Sequence, residues 1–98
     1  MEENIIKEKT KSFAIRIINL YKFLTINALY KEYVLSKQVL RSGTSIGANV
    51  KEASETEYWL ELLYETDYIS QESFDSIIKD NIEIIKILTK IVKNSTEQ

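Results

Sequence analysis

The chain has 98 residues, of which 44% are hydrophobic and 29% are charged, and its formal net charge is −2. This composition is typical of one globular domain, here residues 1–98, and not of a disordered or fibrous chain. The sequence contains no cysteine and no histidine, which excludes disulfide scaffolds, thiolate zinc sites and the commonest general base.

Helix-breaking residues are almost absent, since the chain has no proline and only two glycines. This predicts long helices and an all-α fold. The apolar runs are far shorter than a membrane span, and no signal peptide opens the chain. We therefore expect a soluble, cytoplasmic helical domain without a membrane partner, a metal or a cofactor.

The first helix is predicted over residues 4–24, followed by a connection over residues 25–30. Its basic residues fall on two flanks at 100° per residue, with Lys9 and Arg16 opposite the other lysines. An amphipathic helix of this kind buries one side and exposes the flanks. The predicted buried stripe consists of Ile6, Phe13, Ile17, Leu20 and Leu24.

The second segment begins near Lys31, and its apolar stripe keeps one phase from Leu35 to Leu63. No glycine or proline follows Gly47 before Thr66. The stripe therefore predicts one continuous or gently bent helix over residues 31–66, roughly 50 Å long at 1.5 Å per residue.

A turn over residues 67–70 is predicted next, with Ser70 capping a last helix over residues 71–93. The apolar stripe of that helix is wide enough to need more than one neighbour. Residues 94–98 are expected to form a polar, frayed tail.

Two glycines and two asparagines interrupt the predicted stripes. Gly43 and Gly47 are spaced for close helix packing, so Gly47→Leu is expected to overpack the contact. A phosphate loop fits less well, because no Lys-Ser/Thr pair follows at the required spacing. Asn49 and Asn81 lie on the stripes, where a buried asparagine fixes register or oligomeric state. Trp59 fits a core or subunit contact, or a nucleobase stack.

No catalytic centre is indicated. Glu57, Glu61 and Glu65 share one helix face, but helical di-metal sites also need Glu-x-x-His pairs. A serine or threonine nucleophile would need a neighbouring base, for which only lysine is available. We therefore expect a protein that is not an enzyme.

Three stretches carry a family resemblance. The run YVLSKQVLRSGTSIGANV at residues 33–50, with FAIRIINLY at 13–21 and ETEYWLELL at 55–63, resembles the small bacterial four-helix-bundle proteins of the 23S rRNA intervening-sequence family. The resemblance implies an up-and-down bundle that forms a homo-oligomeric ring. A relative, the accessory variability determinant of diversity-generating retroelements, implies nucleic acid and a reverse transcriptase as partners, bound through a basic surface.

The sequence departs from that family after Ala53, where the resemblance predicts a deletion of roughly twenty residues, or five to six helical turns. The deletion would merge the second and third helices of the family. A merged helix cannot fold back on itself, so a swapped dimer becomes an alternative to the ring.

Function is expected from assembly and charge. Residues 1–51 carry nine Lys and Arg against four Asp and Glu, whereas residues 52–98 carry four lysines against eleven acids. The leading interpretation is a self-associating protein with an accessory role on RNA or DNA, although its pI of about 5.2 is low for that role. The alternative is a purely structural module whose two halves meet across subunits or are simply solvated. The candidate nucleic-acid residues are Lys7, Lys11, Lys22, Lys37 and Arg41.

Overall fold

The structure, a computed structural model, describes residues 2–26, 31–47 and 49–96. Within these ranges the chain forms four α-helices and no strand. They are α1 (Glu2–Ile26), α2 (Val34–Thr44), α3 (Val50–Glu65) and α4 (Gln71–Thr96). The all-α prediction is therefore confirmed. The predicted connection at 25–30 is displaced, because α1 continues to Ile26, and residues 27–30 lie outside the described ranges.

Consecutive helices run antiparallel. The Glu32 N–H donates to the Leu24 carbonyl at 2.9 Å, which places the beginning of α2 beside the end of α1. Further along, Gly43 of α2 lies against Ile17 of α1. In the other half of the bundle, Asn81 of α4 donates to the Ala53 carbonyl of α3 at 3.1 Å. With α1 also packed against α4, the four helices form an up-and-down bundle.

The core lies along the predicted stripes. Phe13, Ile17 and Leu24 of α1 are almost fully buried, while Ile6 and Leu20 are partly buried against them. Every helix contributes to the same cluster, so one hydrophobic core holds the domain together. Its buried apolar members are Phe13, Ile17, Leu24, Val39, Ile46, Ala53, Leu60, Leu63, Ile69, Ile77, Ile84 and Leu88.

The predicted single helix over residues 31–66 is wrong, because the chain turns between α2 and α3. The Ser45 N–H closes the end of α2 on the Ser42 carbonyl at 3.2 Å. Asn49 then caps α3, where its side-chain oxygen accepts from the Glu52 N–H at 3.0 Å. Asn49 is exposed, so its assignment to the buried stripe is also corrected. The stripe looks unbroken because Ile46, within the turn, is still buried.

The predicted junction after Ala53 is not a junction. Ala53 lies inside α3, where its side chain is fully buried. The middle of the chain is short, since α2 and α3 have 11 and 16 residues against 25 and 26 for α1 and α4. Both helices are nevertheless present and pack within one chain. The swapped dimer was expected because a merged helix cannot fold back on itself, and that argument no longer applies.

The two glycines occupy different environments, which corrects their assignment to one helix. Gly43 lies inside α2, where a Cβ would come within 2.9 Å of both Ile17 Cγ atoms. Its close-packing role is therefore visible in the contact itself. Gly47 lies after the end of α2 and is exposed. A Cβ there would meet Thr10 at 3.4 Å, an ordinary contact, so Gly47 is not required for helix packing.

The beginning of α2 is held by the buried carboxylate of Glu32, which is 9% exposed. Its two oxygens accept hydrogen bonds from the Leu35 N–H at 2.9 Å and the Ser36 N–H at 2.7 Å. The Ser36 hydroxyl also donates to it at 2.8 Å. Burial raises the pKa of Glu32, but these hydrogen bonds outweigh burial and hold the pKa below its ordinary value.

The predicted turn between the last two helices is confirmed, and Ser70 accepts the Ser73 N–H at 3.1 Å as the predicted cap. The end of α3 is a Schellman motif, since Tyr68 N–H donates to Leu63 O and Asp67 N–H donates to Tyr64 O. Asp67 occupies the left-handed position with φ of 67°. Glycine is the residue that adopts this conformation without steric cost.

Asp67→Gly is therefore expected to raise the free energy of unfolding by about 1 kcal/mol, because it removes the left-handed penalty. Urea denaturation measures the change. Asp75 is exposed inside α4, and Asp75→Gly as the matched control should lower stability by a few tenths of a kcal/mol, roughly the difference in helix propensity. A loss of stability in Asp67→Gly would contradict the assigned role of this residue.

Candidate nucleic-acid interface

The basic flank of α1 that faces α4 is paired within the chain. Lys9 Nζ lies 2.6 Å from Glu83 Oε1, and Arg16 Nη1 lies 2.8 Å from Asp80 Oδ2. Arg16 also donates to the Ser76 hydroxyl at 2.6 Å. The hydrogen bond and charge of Lys9 hold the pKa of Glu83 below its ordinary value. Lys9 and Arg16 therefore join α1 to α4, and their positive charges are already paired with carboxylates of α4.

Arg41, one of the five candidate nucleic-acid residues, is paired as well. Its guanidinium lies 2.6 Å from Glu55 Oε2 and 3.4 Å from Glu52 Oε2. The hydrogen bond with Glu55 raises the pKa of Arg41. Arg41 thus bridges α2 and α3, unlike the four candidate lysines.

Those four lysines, Lys7, Lys11, Lys22 and Lys37, are exposed and form what we call the basic face. Among the side chains that the structure describes, no carboxylate lies within 4.0 Å of any of these four lysines. Lys22 follows Ile17 by about 7.5 Å of helix rise, and Lys37 precedes Gly43 by about 9 Å. Because Gly43 contacts Ile17 and the helices are antiparallel, Lys22 and Lys37 lie toward the same end of the α1–α2 pair.

At the other end of the pair, Lys7 and Lys11 line a cavity of about 490 Å³. The cavity lies where the α2–α3 turn approaches α1, and no acidic side chain that the structure describes lines it. We call it the turn pocket, and its polar lining consists of Lys7, Thr10, Lys11, Thr44, Ser45 and the backbone at Gly47. Thr44 and Ser45 were not among the candidate residues predicted from the sequence. Their hydroxyls beside a glycine were the available signal, but the predicted continuous helix hid the turn.

The remaining candidate residues have roles inside the bundle. Asn81 is fully buried. Its side-chain amide donates a hydrogen bond to the Ala53 carbonyl, which fixes the pairing of α3 with α4 within one chain. Trp59 is half-buried against the core, with its ring edge-on to Tyr58 at a centroid distance of 5.0 Å. Its buried Nε1 has no hydrogen-bond partner among the described residues. The Trp59 ring, half-buried against the core and edge-on to Tyr58, therefore does not present an open platform for a nucleobase.

Two further observations concern membranes and metals. In the ranges 2–26, 31–47 and 49–96, no helix combines the length and apolar character needed to cross a bilayer. The same ranges contain no cluster of three or more acidic, histidine or cysteine side chains arranged to hold a metal ion. The described surface carries the four lysines of the basic face on α1 and α2, carboxylates concentrated on α3, and equal numbers of lysines and acids on α4.

Comparison with solved structures identifies a similar protein. The chain is similar to a crystal structure from Bacteroides thetaiotaomicron, described as a protein with unknown function from the S23 ribosomal protein family. The two share 49% sequence identity with a TM-score of 0.89, over 95% of this chain and 99% of that one. No family model and no curated protein matches the chain. Because the similarity runs almost end to end at this identity, the chain belongs to the S23 ribosomal protein family.

Proposed function

We propose that this protein is a non-enzymatic, self-associating helical bundle with an accessory role on nucleic acid, which it binds through the basic face. The observation that carries the proposal is the division of the cations. Lys9, Arg16 and Arg41 are paired with carboxylates of α3 and α4. The lysines of the basic face are left exposed and unpaired among the described residues, as phosphate-binding side chains need to be.

The low pI does not argue against this proposal once the charges are placed on the bundle. The negative charge is concentrated on α3, which carries five glutamates against one lysine, whereas α4 carries four acids and four lysines and the basic face lies on α1 and α2. A nucleic-acid strand responds to the local potential along its path more than to the net charge of the protein. The resemblance to the 23S rRNA intervening-sequence family also supports nucleic-acid binding. By analogy with the retroelement relative, a reverse transcriptase is proposed as a further partner.

Self-association is supported by the apolar face of α1, which consists of Ile5, Ile15, Phe23 and Ile26. These side chains are between 46% and 75% exposed. At 100° per residue they lie beyond Lys11 and Lys22 and continue round toward α4. An exposed apolar face of this kind is typical of a protein contact surface. The apolar face and the basic face are therefore adjacent and can be occupied together.

The test of binding is fluorescence anisotropy with a short labelled single-stranded RNA, at salt concentrations between about 50 and 200 mM. Lys22→Gln/Lys37→Gln is expected to reduce the magnitude of the salt slope by about 1.4, because each lost phosphate contact contributes about 0.7. The matched control is Lys79→Gln/Lys86→Gln, which removes the same charge from exposed positions of α4. Equal losses in both variants would show that net charge, and not the basic face, governs binding.

Light scattering on the same samples tests assembly. The mass should exceed the 11.4 kDa of one chain, and Ile15→Glu should lower it by placing a charge on the apolar face. A parent protein that remains at 11.4 kDa at micromolar concentration would contradict self-association. Assembly without salt-dependent RNA binding would favour the purely structural module instead.

A further inference from the structure

Gly47 lacks the usual reasons for a glycine. Its φ does not lie in the left-handed region, where glycine is favoured. A Cβ at Gly47 would meet Thr10 only at an ordinary van der Waals distance of 3.4 Å, whereas a Cβ at Gly43 would collide with Ile17. Glycine loses more conformational freedom on folding than any other residue. Close approach of a ligand to the backbone is a remaining reason for glycine at this position.

The surroundings of Gly47 indicate the charge of that ligand. Gly47 lines the turn pocket together with Lys7 and Lys11, and none of the described acidic side chains lines it. The two lysines are four residues apart on α1, so their ammonium groups project from the same helix face. Like charges at this spacing repel each other. An anion between them would relieve that repulsion, so the pocket is suited to a negatively charged group.

The hydroxyl groups of the turn pocket differ in availability. Thr44 donates to the Leu40 carbonyl at 2.6 Å and Thr10 donates to the Lys7 carbonyl at 3.1 Å, so both donors are engaged. Ser45 is exposed, and its hydroxyl has no hydrogen-bond partner among the described residues.

We propose that the turn pocket holds one backbone phosphate of the bound nucleic acid. Lys7 and Lys11 bind its anionic oxygens, the Ser45 hydroxyl donates to it, and Gly47 lets the strand approach the backbone of the turn. At about 490 Å³ the cavity accommodates the phosphate and part of the adjoining sugar. The inference rests on the proposed nucleic-acid binding and fixes where the strand begins its path along the basic face.

The test fills the pocket without changing charge. Gly47→Leu should retain the melting temperature of the parent, weaken single-stranded RNA binding several-fold and reduce the magnitude of the salt slope by about 0.7, the contribution of one phosphate. The matched control is Ser54→Leu, which adds a similar apolar side chain at an exposed position of α3. Ser45→Ala and Lys7→Gln/Lys11→Gln should weaken RNA binding as well. If Gly47→Leu does not fold, these two variants test whether the turn pocket binds a phosphate.

The outcomes separate this inference from the function on which it rests. If the pocket variants bind like the parent while Lys22→Gln/Lys37→Gln binds more weakly, the turn pocket is wrong and nucleic-acid binding stands. If the parent shows no salt-dependent binding, both proposals fail. Inorganic phosphate provides a second arm: shifts of the Ser45 and Gly47 amide signals in the parent, absent in Lys7→Gln/Lys11→Gln, support the pocket. Equal shifts in both proteins contradict it.

Discussion

Gly43→Leu is expected to lower the free energy of unfolding by about 3 kcal/mol, the upper part of the range for overpacking a core. The first added atom already lies 2.9 Å from two side-chain carbons of Ile17 and 3.2 Å from its Cβ. Ile17 is fully buried, so it cannot move aside into solvent. The gain of about 1 kcal/mol in helix propensity is smaller than this steric cost. Urea denaturation measures the difference.

The matched control is the same substitution four residues later. Gly47→Leu adds its side chain at an exposed position, where the first atom makes only ordinary contact with Thr10. Its free energy of unfolding should stay within about 0.5 kcal/mol of the parent. Equal destabilisation of both variants would contradict the structure and restore the prediction that both glycines lie on one packed helix face.

Glu32→Gln should lower the free energy of unfolding by about 2 kcal/mol at pH 7, because hydrogen bonds to a charged group contribute about 1.5–3 kcal/mol. The pKa of Glu32 is lower in the folded chain than its ordinary value of 4.5. The ionised carboxylate therefore stabilises the fold fully at pH values above the ordinary pKa. This contribution is lost as the pH falls through the folded-state pKa, so the difference between parent and variant should shrink below about pH 4.

The control for this prediction is Glu61→Gln, which removes a carboxylate from an exposed position of α3. Its stability should follow that of the parent across the same pH range. A constant difference between Glu32→Gln and the parent from pH 7 to pH 3 would show that the loss comes from packing and not from the capping charge.

Much of the fold follows from local pattern. The stripe through Phe13, Ile17 and Leu24 predicted the buried side of α1, and Ser70 was identified as the cap of α4. The α2–α3 turn was not predicted because Ile46 is buried within the turn, as it would also be in a continuous helix. Its burial therefore does not distinguish the two structures. A local signal existed: Asn49 followed three residues later by Glu52 is a capping-box pattern, and it comes directly after Gly47 and Ala48.

The candidate site was only partly predictable. Helical periodicity places Lys7, Lys11 and Lys22 on one flank of α1 because side-chain direction depends only on spacing along the helix. The pairing of Arg41 with Glu55 depends on how α2 meets α3 after the turn. The turn pocket likewise brings Lys11 next to Ser45 across the α1–α2 contact. Contacts of this kind are set by tertiary packing and leave no periodic signal in the sequence.

The most direct test of the account is the salt dependence of single-stranded RNA binding by the unmodified protein. Three phosphate contacts, one held by Lys7 and Lys11 together and one each by Lys22 and Lys37, predict a slope of about −2.1 in log affinity against log salt. The dissociation constant should therefore rise roughly twenty-fold between 50 and 200 mM salt. A slope near zero, or no measurable binding at 50 mM salt, would contradict the proposal that the basic face binds the nucleic-acid backbone.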